Sequence, residues 1–248
     1  MERKVFSRRV ALITGGVKRL GFTIARAIAA EGAEIIVTYF QSAPAEAKRA
    51  VAELERAGAE TAHAYKCDLA SLKSLRAFCA ALERKHPRID YLVNSAATFP
   101  REKFFEASPA TFDATFALNA RAPFFLSQYV AIGMKRDGFG RIINIADVAA
   151  YLPWPSYLAY SMSKAAVVAM TKGLAKALAP EILVNAIAPG PVLLPEHYDS
   201  MDLKKAVEPT VLKRQGAPED VASAVVFLLQ SDYITGSTLP VDGGRMIR

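Results

Sequence analysis

The chain has 248 residues, enough for one sizeable core, and its hydrophobic fraction of 52% is that of an ordinary soluble globular protein. No apolar run approaches the roughly 20 residues that a membrane-spanning helix needs. The formal charge of +7 rests on basic residues interleaved with acids (Lys48, Arg49, Arg56, Lys73, Arg76, Arg84, Lys85), so neither a nucleic-acid nor a membrane partner is expected.

Residues 1–9 read as a basic tail, with Arg3, Lys4, Arg8 and Arg9 but no apolar stretch behind them that would make a leader. Cys67 and Cys79 lie far apart without a CxxC or Cys/His spacing, which points to a reducing, cytoplasmic setting and to no metal site. From residue 10 to 248 short β-branched runs alternate with longer helical patterns, the rhythm of βαβ units feeding a parallel sheet. The predicted strands are Val10–Thr14, Glu34–Thr38, Thr61–Lys66, Tyr91–Asn94, Arg141–Ala146, Ile182–Ala188 and Thr238–Val241. Between them a helix covers Phe22–Ala30, a second opens at Pro44 and closes at Gly58, a third is capped by Ser71 and stopped by Pro87, and a fourth starts at Ser108-Pro109. The expected architecture is one doubly wound α/β Rossmann domain, a seven-stranded, mainly parallel sheet with helices on both faces. Ligands of such sheets bind at the carboxyl ends of the strands.

The first such end carries Thr14-Gly15-Gly16-Val17-Lys18-Arg19-Leu20-Gly21. Glycines let a backbone approach a pyrophosphate, whose charge the following helix terminus attracts. Gly15, Lys18, Arg19, Leu20 and Gly21 are therefore candidate cofactor residues. The second strand ends in Tyr39, Gln41 and Ser42, with no acid to accept ribose hydroxyls. Lys18, Gln41 and Ser42 can donate to a 2′-phosphate, so NADP is expected over NAD. Asp68 and Leu69 after strand three, and Asn94-Ser95-Ala96 after strand four, complete the predicted cofactor wall.

Tyr160-Ser161-Met162-Ser163-Lys164 sets a phenol and an ammonium four residues apart on one helix face, and Asp147 stands thirteen positions before the phenol. A free tyrosine titrates near 10, so a nearby cation that stabilises phenolate is expected to lower it, at about 1.4 kcal/mol per unit. An ionised Asp147 repels the oxyanion of a reduced ketone, whereas an acid that relays protons suits a ring C=N, where a proton goes to nitrogen.

The loop resembles the TGxxxGxG fingerprint of short-chain dehydrogenases/reductases, with Arg19 at the middle glycine, and Tyr160 with Lys164 matches that family's YxxxK pair. The resemblance covers nearly the whole chain and implies that Asn119, in Phe116-Ala117-Leu118-Asn119, supports a water relay to Lys164. It also implies that Pro189, Gly190 and Val192 meet the nicotinamide, Val192 through its backbone. It narrows to pteridine reductases through Arg19, Asp147 at the usual serine position, Phe99 after the Asn94 turn, and the ending Asp242-Gly243-Gly244-Arg245. What it implies is hydride transfer from NADPH to a dihydropterin, such as dihydrobiopterin, dihydromonapterin or a dihydrofolate, with Arg19, Phe99, Asp147 and Tyr160 on the substrate. The alternative is reduction of a 3-oxoacyl thioester or another ketone. Phe99 is expected to stack on the pterin, and Tyr151 and Trp154 are candidates for the pocket wall. Leu193 to Gln215 reads as an aperiodic substrate lid, and His197 within it as a surface residue. The resemblance further implies a homotetramer through Phe112–Met134 and Ser156–Ala179, with Arg245 to Arg248 reaching a neighbouring subunit's site.

Overall fold

A computed structural model describes residues 4–194 and 199–247. Seven strands form one sheet in the order β3-β2-β1-β4-β5-β6-β7: β1 (Val10–Ile13), β2 (Glu34–Tyr39), β3 (Ala62–Lys66), β4 (Tyr91–Asn94), β5 (Gly140–Ile145), β6 (Ile182–Pro189) and β7 (Thr238–Val241). Every neighbouring pair is parallel, so the sheet is wholly rather than mainly so. The order reverses between β1 and β4, and that reversal opens the crevice in which such folds bind ligands.

The side-chain period of two explains why helices cover both faces. Along β1 and β2, Ala11, Ile13, Ile35 and Val37 enter one buried cluster with Ile24 and Ile28 of α1 (Arg19–Ala30), Leu54 of α2 (Pro44–Ala57) and Val225 of α8 (Pro218–Gln230). The intervening Leu12 and Ile36 point the other way, to Phe78 of α3 (Leu72–Lys85) and Leu126 and Met134 of α5 (Ala122–Arg136). Strands buried on both faces must be continuously apolar, which is how they read in the sequence.

Helix starts follow their caps. Ser71 accepts from Ser74 N at 3.3 Å, Ser108 accepts from Thr111 N at 3.1 Å, and Glu46 accepts from Ala43 N at 2.8 Å one residue before Pro44. Four expectations need correction. The first helix begins at Arg19, not Phe22. The helix from Ser108 is interrupted: α4 (Pro109–Phe116) gives way to a π-helical turn at Ala117–Arg121 before α5. Residues 4–9 are no tail, because Phe6 is 1% exposed against Tyr91 and Lys4 Nζ donates to Gly58 O at 2.9 Å. Within the segment read as aperiodic, α7 (Ser200–Val207) forms under an Asp199 cap, while His197 lies outside the described residues. The remaining helix, α6 (Leu158–Leu178), follows a short 3-10 turn at Val148–Ala150. Cys67 and Cys79 are buried free thiols, and no described helix is long and apolar enough to cross a membrane.

Candidate active site

The carboxyl ends of β1, β4, β5 and β6 open into a cavity of about 600 Å³, a size that takes a small organic ligand. Its floor holds the predicted chemistry. Tyr160 and Lys164 descend from the first turns of α6, and Asp147 follows β5. The Tyr160 hydroxyl donates to Asp147 Oδ2 at 2.8 Å, and Ala149 N donates to Asp147 Oδ1 at 2.8 Å, so the carboxyl is fixed by both oxygens. Lys164 Nζ donates to Ile145 O at 2.7 Å and stands 5.6 Å from the Tyr160 ring centroid.

The electrostatics differ from the sequence expectation. Burial raises the Tyr160 phenol well above its ordinary value, and the neighbouring Asp147 charge and hydrogen bond raise it further. Burial also raises the Asp147 carboxyl, against the opposing pull of Ala149 N–H, Tyr160, Lys164 and Arg245. Lys164 is pushed down to about 8, because desolvation outweighs its attraction to Asp147. Without a bound ligand the pair Asp147/Tyr160 therefore retains a proton rather than surrendering it, since a dry site disfavours every charge.

Asn119 sits in the π-helical turn, a device that turns one side chain out of the helix register. Its Oδ1 accepts from Thr98 N at 2.8 Å, and its Nδ2 donates to Thr98 O at 3.0 Å and to Ser163 Oγ at 3.0 Å. None of these contacts reaches Lys164. Asn119 thus clamps the strand-four loop onto α6, beside Tyr160 and Lys164 on the same helix.

That clamp sets Phe99. Its ring stacks on Tyr157 at 4.2 Å and 13°, meets Tyr160 edge-on at 4.5 Å, and has Trp154 at 6.0 Å. One face of Phe99 is already occupied by Tyr157, so a stacked ligand has only the opposite face. Trp154 lines the cavity as expected, but Tyr151 is exposed and does not. Tyr157 went unread in the sequence, although its place one helical turn before Tyr160 was the available signal.

On the cofactor side, Gly15 has φ +67° and a Cβ on it would touch Ala96, while a Cβ on Gly21 would collide with the Gly15 carbonyl. A side chain is therefore excluded at Gly21 and strained at Gly15. Arg19 adopts φ +54°, a left-handed conformation that suits glycine and costs a residue with a side chain about 1–2 kcal/mol. Its guanidinium lines the cavity and donates to Leu194 O at 3.0 Å and Leu193 O at 3.4 Å, latching the glycine turn to the segment after β6. Leu20 lines the same wall. Thr14, whose role the sequence did not reveal, accepts at Oγ1 from Ser95 N at 2.9 Å and Ala96 N at 3.0 Å and so locks the two cofactor turns together.

The other predicted residues divide. Tyr39 ends β2 half-buried, with Lys18 and Gln41 at the surface, but Ser42 is 7% exposed. Asp68 accepts from Ala70 N at 3.0 Å in an Asx turn, and Leu69 is buried. The Asn94 amide donates to Asn144 Oδ1 at 2.8 Å and Ser127 Oγ at 3.2 Å, deep between strands, so its side chain links β4 to β5 and α5. Pro189, Gly190 and Val192 line the cavity, with Val192 N donating to Gly190 O at 2.8 Å and Val192 O accepting from Gln215 Nε2 at 2.7 Å. Arg245 reaches the cavity of its own chain, 5.8 Å over Trp154, and its NH1 donates to Ala206 O at 2.7 Å, whereas a neighbour's site had been expected. Arg101, Asp202 and Lys205 also line the mouth, the last two unread in the sequence because α7 itself was missed.

A sequence profile described as Enoyl-(Acyl carrier protein) reductase matches residues 16–245. The chain is 32% identical over 260 residues to the Homo sapiens protein named Dehydrogenase/reductase SDR family member 4, covering 100% of this chain and 91% of that protein. It is 34% identical over 243 residues to a 3-oxoacyl-[acyl-carrier-protein] reductase of Synechocystis sp., covering 96% and 97% of the two chains. Among solved structures, a blue fluorescent protein from a metagenomic library in complex with NADPH superposes with a TM-score of 0.87 at 33% identity, over 96% of this chain and 98% of that one. With a glycine turn after β1, Tyr160 and Lys164 on α6 and these relatives along its full length, the chain belongs to the short-chain dehydrogenase/reductase family of oxidoreductases.

Proposed function

We propose that the protein is an NADPH-dependent reductase of a ring C=N in a dihydropterin, yielding the tetrahydro form. The observation that carries this reading is the 2.8 Å hydrogen bond from Tyr160 to Asp147. A ketone oxygen gathering negative charge needs donors, and here the phenol's proton is shared with a carboxyl. A ring nitrogen needs an acid with a reserve of protons, and a buried carboxyl and phenol that both hold protons more tightly than usual supply one. Phe99 and Trp154 give a flat ring an apolar wall, and Arg19 and Arg245 offer cations to its polar edge.

NADPH, when bound, supplies the hydride. Gly15 and Gly21 leave the backbone clearance its pyrophosphate needs, and the amino end of α1 favours the negative charge. The absence of an acid at the end of β2, with Lys18 and Gln41 at the surface there, favours the 2′-phosphate, and a solved relative in complex with NADPH agrees. Leu193 to Gln215 acts as the lid, with α7 as its stiff part. The apolar side chains left exposed on α5 and α6, among them Ile132 at 70%, support a homotetramer.

A second reading, reduction of a 3-oxoacyl thioester or another ketone, is the one the relatives' names support better, since the Synechocystis protein carries that name. Following NADPH oxidation with dihydrobiopterin or dihydromonapterin beside an acetoacetyl thioester separates the two. Turnover of the pterin alone is expected; turnover of the thioester alone rejects the reading built on Asp147.

A further inference from the structure

Away from the cavity, at the edge of the sheet, three side chains meet that the chemistry above does not use. Glu34 opens β2, His63 is the second residue of the edge strand β3, and His86 caps the carboxyl end of α3. His86 Nδ1 lies 2.8 Å from Glu34 Oε1, and His63 Nε2 lies 4.0 Å from the same oxygen. The two imidazoles are 4.8 Å apart between centroids, and the three ligand atoms lie within 4.8 Å of one another. The His86 side chain is 8% exposed, while that of His63 is 45% exposed and leaves the cluster open to solvent on one side.

A hydrogen-bonded chain accounts for part of this. Tyr65 OH and His86 Nε2 are 2.8 Å apart, so Glu34, His86 and Tyr65 satisfy one another without His63. His63 nevertheless directs Nε2 at the oxygen that His86 already uses, beyond hydrogen-bond reach. We propose that Glu34, His63 and His86 form a binding site for a divalent transition metal ion, zinc foremost, with water completing its coordination.

Two imidazole nitrogens and one carboxylate oxygen are a zinc donor set, and tetrahedral geometry at bonds of about 2.0–2.2 Å spaces such ligands about 3.3 Å apart. The two histidine–oxygen separations, 2.8 and 4.0 Å, straddle that spacing and all three donor atoms lie within 4.8 Å, so rotation of the half-exposed His63 toward the other two draws the site together. Tyr65 fits the second requirement, that a ligating histidine hydrogen-bond through its other nitrogen. With the metal on Nδ1, the proton moves to Nε2 and the Tyr65 hydroxyl changes from donor to acceptor. Imidazole donors favour zinc, nickel and copper over magnesium and calcium. A metal here ties β3, which has β2 as its sole strand neighbour, to the start of β2 and the end of α3.

The test uses chelator-stripped protein without a polyhistidine tag. Zinc is expected to raise the unfolding temperature by several degrees where magnesium does not, and cobalt(II) to give visible d–d bands that saturate at one equivalent. His63→Ala is expected to unfold as the metal-free wild type does and to lose both responses. Glu34→Gln, which keeps an acceptor for His86, is expected to weaken cobalt binding by more than the roughly 100-fold that loss of an outer-sphere partner costs at most. Wild-type protein without a zinc shift or cobalt bands overturns the site, as do responses retained in full by His63→Ala or Glu34→Gln.

Discussion

At Asp147 burial and hydrogen bonding oppose each other, and burial prevails, so the carboxyl titrates above its ordinary range. A raised carboxyl contributes stability that is present below the usual carboxylate pKa and lost as pH climbs through the folded value. Asp147→Asn removes that loss. Its unfolding temperature is expected to match or exceed that of wild type at neutral pH, with the difference growing from acid to neutral, while pterin turnover falls about 10²–10⁴-fold with the proton relay gone. Unfolding scans across pH check the first part, and a variant that becomes less stable than wild type as pH rises refutes it. Lys164 gives a prediction with split signs. Its value of about 8, against an ordinary 10.5, means that holding it charged costs the fold below pH 8, so stability rises between about 8 and 10.5. Turnover moves the other way over the start of that window, because the cation beside Tyr160 is lost. Rate and unfolding profiles on one preparation test the divergence. Tyr160, Lys164 and Asp147 were legible because their spacing on one helix and after one strand is a sequence property. The raised phenol was not, because desolvation depends on what the fold packs around it.

Elements were legible to the extent that they bury a stripe. All seven strands stand within a residue of their predicted ends, since a sheet covered on both faces demands unbroken apolar runs. Helix α7 escaped because it buries no side chain and is only 8 residues long, too short for its period to be read. The π-helical turn escaped because its signature is a hydrogen-bond pattern rather than a residue type, and with it went the contacts of Asn119 to Thr98 and Ser163. The turn from β1 to α1 carries the sharpest element-level prediction. Gly21→Ala drives a methyl group into the Gly15 carbonyl, so the turn must open at a cost of about 1–3 kcal/mol. NADPH affinity measured by fluorescence titration is expected to fall at least tenfold in that variant, and unchanged affinity would show that the turn yields without consequence.

At the scale of the molecule, some of the apolar residues that remain exposed lie where a partner copy is expected. Phe124, Phe125 and Ile132 on α5 and Leu158 and Met162 on α6 stay open to solvent in the single chain of 26.8 kDa. Light scattering is expected to give about four times that mass, and Ile132→Glu with Phe125→Glu to give smaller species. A wild-type monomer would leave those side chains without a role. The quaternary state could be inferred from sequence only through resemblance, since a helix face does not announce whether its cover comes from its own chain.

Arg19 holds the carbonyls of Leu193 and Leu194, and Arg245 holds that of Ala206. Two described points of the proposed lid are thus held by guanidinium groups from opposite ends of the chain. On the lid reading proposed above, product departs only as fast as one strap unfastens, a diffusive event that drags solvent with it. Turnover at saturating substrate should slow in proportion to added viscogen, and Arg245→Ala should flatten that slope while raising the departure rate. Replacing hydride by deuteride would then leave the wild-type rate almost unmoved and slow the variant, making the hidden chemical step visible.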